Sequence, residues 1–424
     1  MRNKYLKILF VCIFLFVLIL PSFVFADSEE ELTIDSPAAM LVNLNSGKVI
    51  FEKNANEKMY PASLTKILTA IIVLENCDLS DVATVSNDAV MDVSYGYVTA
   101  NLQTGEELTI EQLLNVLLIG SSNDAANVLA EHISGSIEDF AALMNQKAKE
   151  LGCTNSNFLN PNGEHNVSHY STASDLVIIA KYALQNDTFK DIVKKTWYKL
   201  PATNKYPNDD RLFTTTNELL IVNNNDRQDN YYYKYATGVK TGFTTPAGNC
   251  LIATANKDDL EFMTIILGAT SNKEGFSNRY LETIKMFEYG FGNYSLKKLA
   301  NAGDIIQTIT VKHATRNTKK LDVVTEKDIS ALVKTEELNS SYLPQVTLND
   351  NIKAPIQKGD IVGKLSYTID GITYEENLVA NSDVKKSNDI LHVFEIFLVL
   401  IIIYLVVRYK KLNKRKNRKI KREP

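Results

Sequence analysis

"YPASLTKILTA", Tyr60 to Ala70, is the stretch on which this chain turns. A serine and a lysine three residues apart open an apolar run, and on a helix that spacing puts Ser63 and Lys66 on one face. A serine hydroxyl is a weak nucleophile and needs a neighbour that accepts its proton. A lysine desolvated by Ile67 and the residues after it is such a neighbour, because burial disfavours the charged amine. The same text is also an ordinary capped helix start, and Ser-x-x-Lys recurs at Ser295–Lys298 and Ser382–Lys385. The choice rests on what accompanies it.

Two further tripeptides each occur once: "SSN" at Ser121–Asn123, between two helical patterns, and "KTG" at Lys240–Gly242, on a strand pattern. Ser121 follows Lys66 after about 55 residues, and Lys240 follows Asn123 after about 117. Taken singly they read as turn formers and an edge-strand charge. In this order they form the motif triplet of class A β-lactamases and penicillin-binding proteins. The chemistry is coherent: Ser121 can relay a proton between Lys66 and a leaving amine, and Asn123 can orient Lys66 and the substrate amide. Lys240 and Thr241 offer a charge and a hydroxyl to a substrate carboxylate, and Lys240 as a second cation lowers the Lys66 pKa further. Gly242 leaves room for a substrate backbone laid along the strand, and the Ser63 N–H at a helix start faces an anion.

The wider text resembles the low-molecular-mass penicillin-binding proteins that act as serine-type D-alanyl-D-alanine carboxypeptidases. The likeness runs through "YPASLTKILTA", "LLIGSSNDAANVLAE", "LGCTNSNFLNPNG", "YSTASDL" and "GVKTGFTTPAGNC". It implies Ser63 as acyl-enzyme nucleophile, Lys66 as general base, Ser121 as second catalytic serine, Lys240 as carboxylate contact, and an oxyanion hole from the N–H groups of Ser63 and Phe243. It implies peptidoglycan stem peptides ending in D-Ala-D-Ala as substrate, β-lactams as covalent inhibitors, and neither cofactor nor metal. Where the family often has "NPHGL", this chain has "NPNGE", with Asn162 and Glu164 in place of a histidine and a leucine. A class A-like β-lactamase, an endopeptidase on wall cross-links and a non-catalytic wall-assembly scaffold are the rival readings. Against the first, the only text resembling the deacylating E-x-x-L-N motif is "TEELN", Thr335–Asn339, with a threonine in the glutamate position and after Lys240.

The expected fold is α+β, a penicillin-binding/β-lactamase-like transpeptidase fold. An antiparallel sheet of two N-terminal and three later strands is flanked by helices, and a C-terminal β-sandwich comes after it. The expected layout is a signal peptide at 1–26, a catalytic domain at 27–290, a β-rich domain at 291–383, a transmembrane helix at 390–407 and a basic cytoplasmic tail at 408–424. Topology follows from that tail by the positive-inside tendency, which places the catalytic domain outside the cell.

Of the formal charge of −4, the leader carries +3 and the tail +9, which leaves about −16 on residues 27–407. So acidic a body excludes nucleic acid as a partner. Cys77, Cys153 and Cys250 read as buried small hydrophobes. "HNVSH", His165–His169, lacks a third ligand for a metal, and Tyr231, Tyr232, Tyr233 and Tyr235 read as packing residues before the Lys-Thr-Gly strand.

Overall fold

The computed structural model describes residues 32–208, 210–222, 231–387 and 389–420. The leader at 1–26 lies outside them. The chain divides into two units, Met1–Thr33 and Ile34–Pro424, and the described strands and helices belong to the second.

The central sheet of this second unit is antiparallel and built as expected from both ends of the catalytic region. Strands β1 (Ala38–Asn43), β2 (Val49–Lys53), β3 (Ala236–Thr244), β4 (Gly248–Lys257) and β5 (Leu260–Ala269) lie in the order β2-β1-β5-β4-β3. Residues of a strand alternate between faces, and here both faces are covered. Met40, Val42, Ile252, Met263 and Ile265 join the core shared with the inserted helices, while Phe262 packs under Gly290 of a later helix. That explains why β4 and β5 are apolar nearly throughout.

Between β2 and β3 come helices α1 (Lys66–Asn76), α2 (Ile110–Leu118), α3 (Asn123–Ser134), α4 (Ile137–Glu150) and α5 (Ala173–Ala183). Helix α1 is buried on most of its sides, from Lys66 to Val73, as its composition foretold. Helix α2 starts from a full capping box of Thr109 and Gln112, and α3 stops at Gly135, whose φ of 80° suits glycine at a helix end. Helix α6 (Asn278–Asn293) closes the other face of the sheet. Tyr231 and Tyr233 pack on it, against Tyr280 and Phe287.

The C-terminal β region holds strands β6 (Tyr294–Ala300), β7 (Ile305–Thr310), β8 (Lys320–Thr325), β9 (Ile329–Lys334), β10 (Gln345–Leu348), β11 (Ile361–Ile369) and β12 (Ile372–Ala380). They form a five-stranded sheet, β7-β8-β12-β11-β10, and a two-stranded ribbon, β6-β9, rather than two matched sheets. Ala331 and Val333 of the ribbon meet Ile369 in a small shared core. This region has its own hydrophobic core around Leu321, Val323, Leu365 and Leu378. Compactness does not part it from the catalytic region, and Lys48 pairs with Asp370 at 2.6 Å across the two.

The last helix, α7, runs Asp389–Ile420, well past the expected span and through much of the basic tail. Among the described residues no helix is long and apolar enough to cross a membrane, so the transmembrane assignment is not supported. The reason is length. The unbroken apolar run Ile396–Val407 lies between Glu395 and Arg408, and twelve residues rise about 18 Å against a hydrocarbon thickness of about 30 Å.

Candidate active site

A short 3-10 turn, Ala62–Thr65, leads into α1 and carries Ser63 at its centre. Ala62 just before it sits at φ 48°, and Ser121 sits at φ 60°. Two non-glycine residues in the left-handed region within one site fit the rule that such strain gathers where function holds it.

The structure brings all the expected motif residues to one cleft of about 620 Å³, lined by Ser63, Ser121, Asn123, Thr241, Gly242 and Phe243 among others. Lys66 and Lys240 lie just beneath, both fully buried. Lys66 Nζ is 2.9 Å from Ser63 Oγ. It also donates to Asn123 Oδ1 and to the main-chain oxygen of Asn162, each at 2.6 Å. A neutral amine has two N–H donors and one lone pair. Two carbonyl-type acceptors take the donors, so the lone pair is left for the serine hydroxyl. Burial, then the charge of Lys240, holds the Lys66 pKa well below its ordinary value, against the opposing pull of Glu164 and Asp124.

A second pair mirrors the first. Lys240 Nζ donates to Ser121 Oγ at 2.9 Å and to the Thr241 carbonyl at 3.0 Å. Burial and the neighbouring Arg279 bring Lys240 down to about 7. Arg279, on α6, lines the cleft beside Thr241 and Gly242, and no motif in the sequence marked it. The Thr241 hydroxyl is hydrogen-bonded to that of Thr216.

Glycine at 242 has a different reason from the one its sequence suggested. A Cβ there would meet Pro61 O at 2.9 Å and Ser63 N at 3.2 Å, so it is the protein's own Ser63 turn, not only a substrate, that needs the space. The same packing brings the end of β3 with Phe243 beside the Ser63 backbone. Gly163 is tighter still: at φ 85°, its Cβ would lie 2.0 Å from Ala62 O. The loop Pro161–Glu164 is thus clamped onto the nucleophile's turn.

Asn123 is held from behind. Its N–H donates to Val98 O at 2.8 Å, and next to it Asp124 accepts from the N–H groups of Ala100 and Leu102. Burial raises the Asp124 pKa against those bonds. Glu164 sits beside the cleft; its carboxylate accepts from Ser94 Oγ at 2.9 Å, Ser94 N at 3.2 Å and Asn123 Nδ2 at 3.4 Å.

The two histidines of "HNVSH" go separate ways. His169 is buried, its Nε2 2.9 Å from Thr65 Oγ1 and its Nδ1 accepting from Leu159 N. Burial pushes it down to about 4, so the ring is neutral. His165 stands in the cleft wall, edge-on to Tyr60. Among the described residues no group of three His, Cys, Asp or Glu side chains could hold a metal ion. Cys153 and Cys250 are buried and Cys77 is half-buried, all with free thiols. The Ser-x-x-Lys text at Ser295–Lys298 is engaged elsewhere: Lys298 is tied to Asp328, and Ser295 bonds Thr335.

Residues 25–271 match the family model described as D-alanyl-D-alanine carboxypeptidase, which is more than half of the chain. This chain belongs to the D-alanyl-D-alanine carboxypeptidase family. Residues 294–386 match the C-terminal domain of penicillin-binding protein 5. The D-alanyl-D-alanine carboxypeptidase DacF of Bacillus subtilis is 34% identical over 371 residues, covering 84% of this chain and 88% of that relative. Penicillin binding protein 5 from Haemophilus influenzae superposes with a TM-score of 0.64 at 26% identity, over 84% of this chain and 98% of that one. The DD-transpeptidase of Streptomyces K15 matches 61% of this chain and 98% of its own, with a TM-score of 0.54 and 29% identity. The chain is a serine-type D-Ala-D-Ala carboxypeptidase of the penicillin-binding group, with a cell-wall function.

Proposed function

We propose that Ser63 is the nucleophile, Lys66 its general base and Ser121 the proton relay in removal of the terminal D-alanine from stem peptides. The observation that carries this is the set of bonds around Lys66 Nζ, two to carbonyl-type acceptors and one to Ser63 Oγ. Ser63 Oγ attacks the carbonyl carbon of the penultimate D-alanine, and its proton passes to Lys66. The tetrahedral oxyanion meets the N–H groups of Ser63 and Phe243. The proton then travels through Ser121 to the departing D-alanine nitrogen, the C–N bond breaks, and water later cleaves the Ser63 ester.

Thr241 and Arg279 line the cleft, and Lys240 lies just beneath it, which offers a hydroxyl and two cations to the substrate's terminal carboxylate. The Glu164 carboxylate is already engaged by Ser94 and Asn123, and no E-x-x-L-N glutamate stands between Asn123 and Lys240 to activate a deacylating water. The penicilloyl adduct is therefore expected to outlive the peptide acyl-enzyme by orders of magnitude, unlike that of a β-lactamase.

Mass spectrometry of the protein with a pentapeptide ending in D-Ala-D-Ala, and separately with penicillin, tests the assignment. Ser63→Ala should lose both D-alanine release and the covalent adduct. An adduct persisting on another serine overturns it.

For placement in the cell, we infer secretion through the leader at 1–26 and attachment at a membrane through α7, with the catalytic region outside. Support comes from Val393–Val407, where apart from Glu395 every residue is apolar or Tyr404, and all are exposed. An exposed apolar surface of that extent calls for lipid or a partner. Basic residues begin at once from Arg408. The C-terminal β region then serves as a spacer between membrane and active site.

A further inference from the structure

The body of this protein is acidic, yet one end of its β region is not. The backbone segments carrying Lys312, Lys319, Lys353, Lys385 and Lys386 adjoin one another there. Val311 N donates to Lys319 O, Ala354 N to Lys312 O and Thr315 N to Lys385 O, each at 2.9 Å, while Lys312 bridges Lys353 and Ala314 bridges Lys386. All five lysines are exposed, as is Arg316 on the same turn. Acidic residues on the adjoining segments include Asp389, Asp322, Asp350, Asp360 and Asp383. The last two accept backbone N–H groups of Gln357 and Lys358 at 2.8 Å.

Among these cations lies a concavity of about 420 Å³, lined by Lys312, His313, Lys319, Thr310 and Ser387. Its rim is braced by the chain's exit, since Ser387 N donates to His313 O at 2.7 Å. Helix α7 starts at Asp389, two residues on.

We propose that this basic concavity is a binding site for the phosphate of an anionic lipid headgroup, docking the foot of the β region on the membrane surface. This rests on attachment through α7. A phosphodiester carries one negative charge and accepts from ammonium and hydroxyl donors, which are the groups gathered here. Lipid is the source because the site opens at the root of the apolar helix, where headgroups meet the chain leaving the β region. The body as a whole, at about −16 even with the patch included, is repelled by the same surface. The patch therefore fixes which end faces down.

The test reconstitutes the full chain with vesicles of phosphatidylcholine alone or with about one third phosphatidylglycerol, and maps lysine acylation by mass spectrometry. Lys312 and Lys319 should be protected severalfold in the anionic vesicles and not in the neutral ones, with the protection lost at high salt. Lys364, which pairs with Glu375 elsewhere in the domain, should label equally in both. The double variant Lys312→Gln/Lys319→Gln should float with neutral vesicles as well as the parent does and keep full activity on a soluble peptide. Its Lys385 and Lys386 should regain labelling on anionic vesicles.

Equal labelling of Lys312 and Lys319 in the two vesicle types overturns the headgroup site. Protection by soluble poly(glycerol phosphate) at lower phosphate concentration than by vesicles also overturns it, in favour of a wall polymer. Failure to float with neutral vesicles overturns attachment through α7 alone, and failure with both kinds overturns both.

Discussion

The catalytic region and the C-terminal β region bury very different things. In the first, Lys66, Lys240, Glu106, Asp124, Asn123 and Asn127 are all nearly inaccessible. In the second, among the described residues, Thr325 is the one buried side chain of the polar or charged kind. Burying an amine or a carboxylate costs free energy unless it is paired and hydrogen-bonded, so a region that does it repeatedly is spending stability on chemistry. The β region's core is aliphatic packing with Tyr367 among it, and its charges stay on the surface. Position in the chain does not separate the two regions as clearly as this contrast does.

The contrast can be broken hardest at Lys66. Lys66→Ala removes the proton acceptor while leaving Ser63 in place, and acylation by penicillin or peptide should slow by about 10² to 10⁴. Stopped-flow acylation rates check this, and near-normal acylation at neutral pH would remove Lys66 from the role. Next comes Gly163→Ala. Its Cβ would overlap the Ala62 carbonyl at a backbone angle that alanine disfavours, so the loop must move off the nucleophile's turn. Expected are a fall in Tm and a loss of acylation rate together. Retention of both would show that the loop yields freely.

A subtler test uses pH. Lys240 sits at about 7 in the free protein and must be protonated to pair with a carboxylate, so kcat/KM should fall as pH rises through that range. Lys66 must be neutral, which sets the opposing acidic limb. Lys240→Arg keeps the charge at every accessible pH and should push the falling limb to higher pH, whatever its effect on the maximum; an unmoved limb assigns it to another group. The linkage to stability runs the other way. The folded pKa of Lys240 lies below its unfolded value, so the unfolded chain binds more protons between about 7 and roughly 10.4. Folding stability should rise with pH across that window. The smallest effect belongs to the β region: breaking the exposed Lys364–Glu375 pair with Lys364→Ala should cost under about 1 kcal/mol in denaturant titration, with activity unchanged.

The same line divides the residues that could be read in advance from those that could not. Ser63, Lys66, Ser121, Asn123, Lys240 and Thr241 were legible because side-chain identity and order carry their chemistry. The sheet was legible because two apolar strand patterns precede the helices and three come after them. Asn162 as a Lys66 acceptor was not, since the contact is a main-chain oxygen. Gly163 passed unnoticed because its task is to lack an atom. Arg279 belongs to a helix after the last motif and reaches the cleft only through the fold. In the tail, hydropathy suggested a span, but the unbroken apolar run between Glu395 and Arg408 is twelve residues, and α7 continues past it into the basic residues.

The carbonyl that Asn162 lends to Lys66 bears on how such a site can change over generations. Every amino acid supplies that oxygen, so a change at 162 keeps the base's second acceptor, provided that Gly163 keeps the loop seated and that the new side chain replaces the bonds Asn162 makes to Asn127 and to the Glu164 N–H. A chain reading "NPNGE" instead of "NPHGL" can therefore exchange the side chains around its nucleophile and inherit the wiring of its lysine intact.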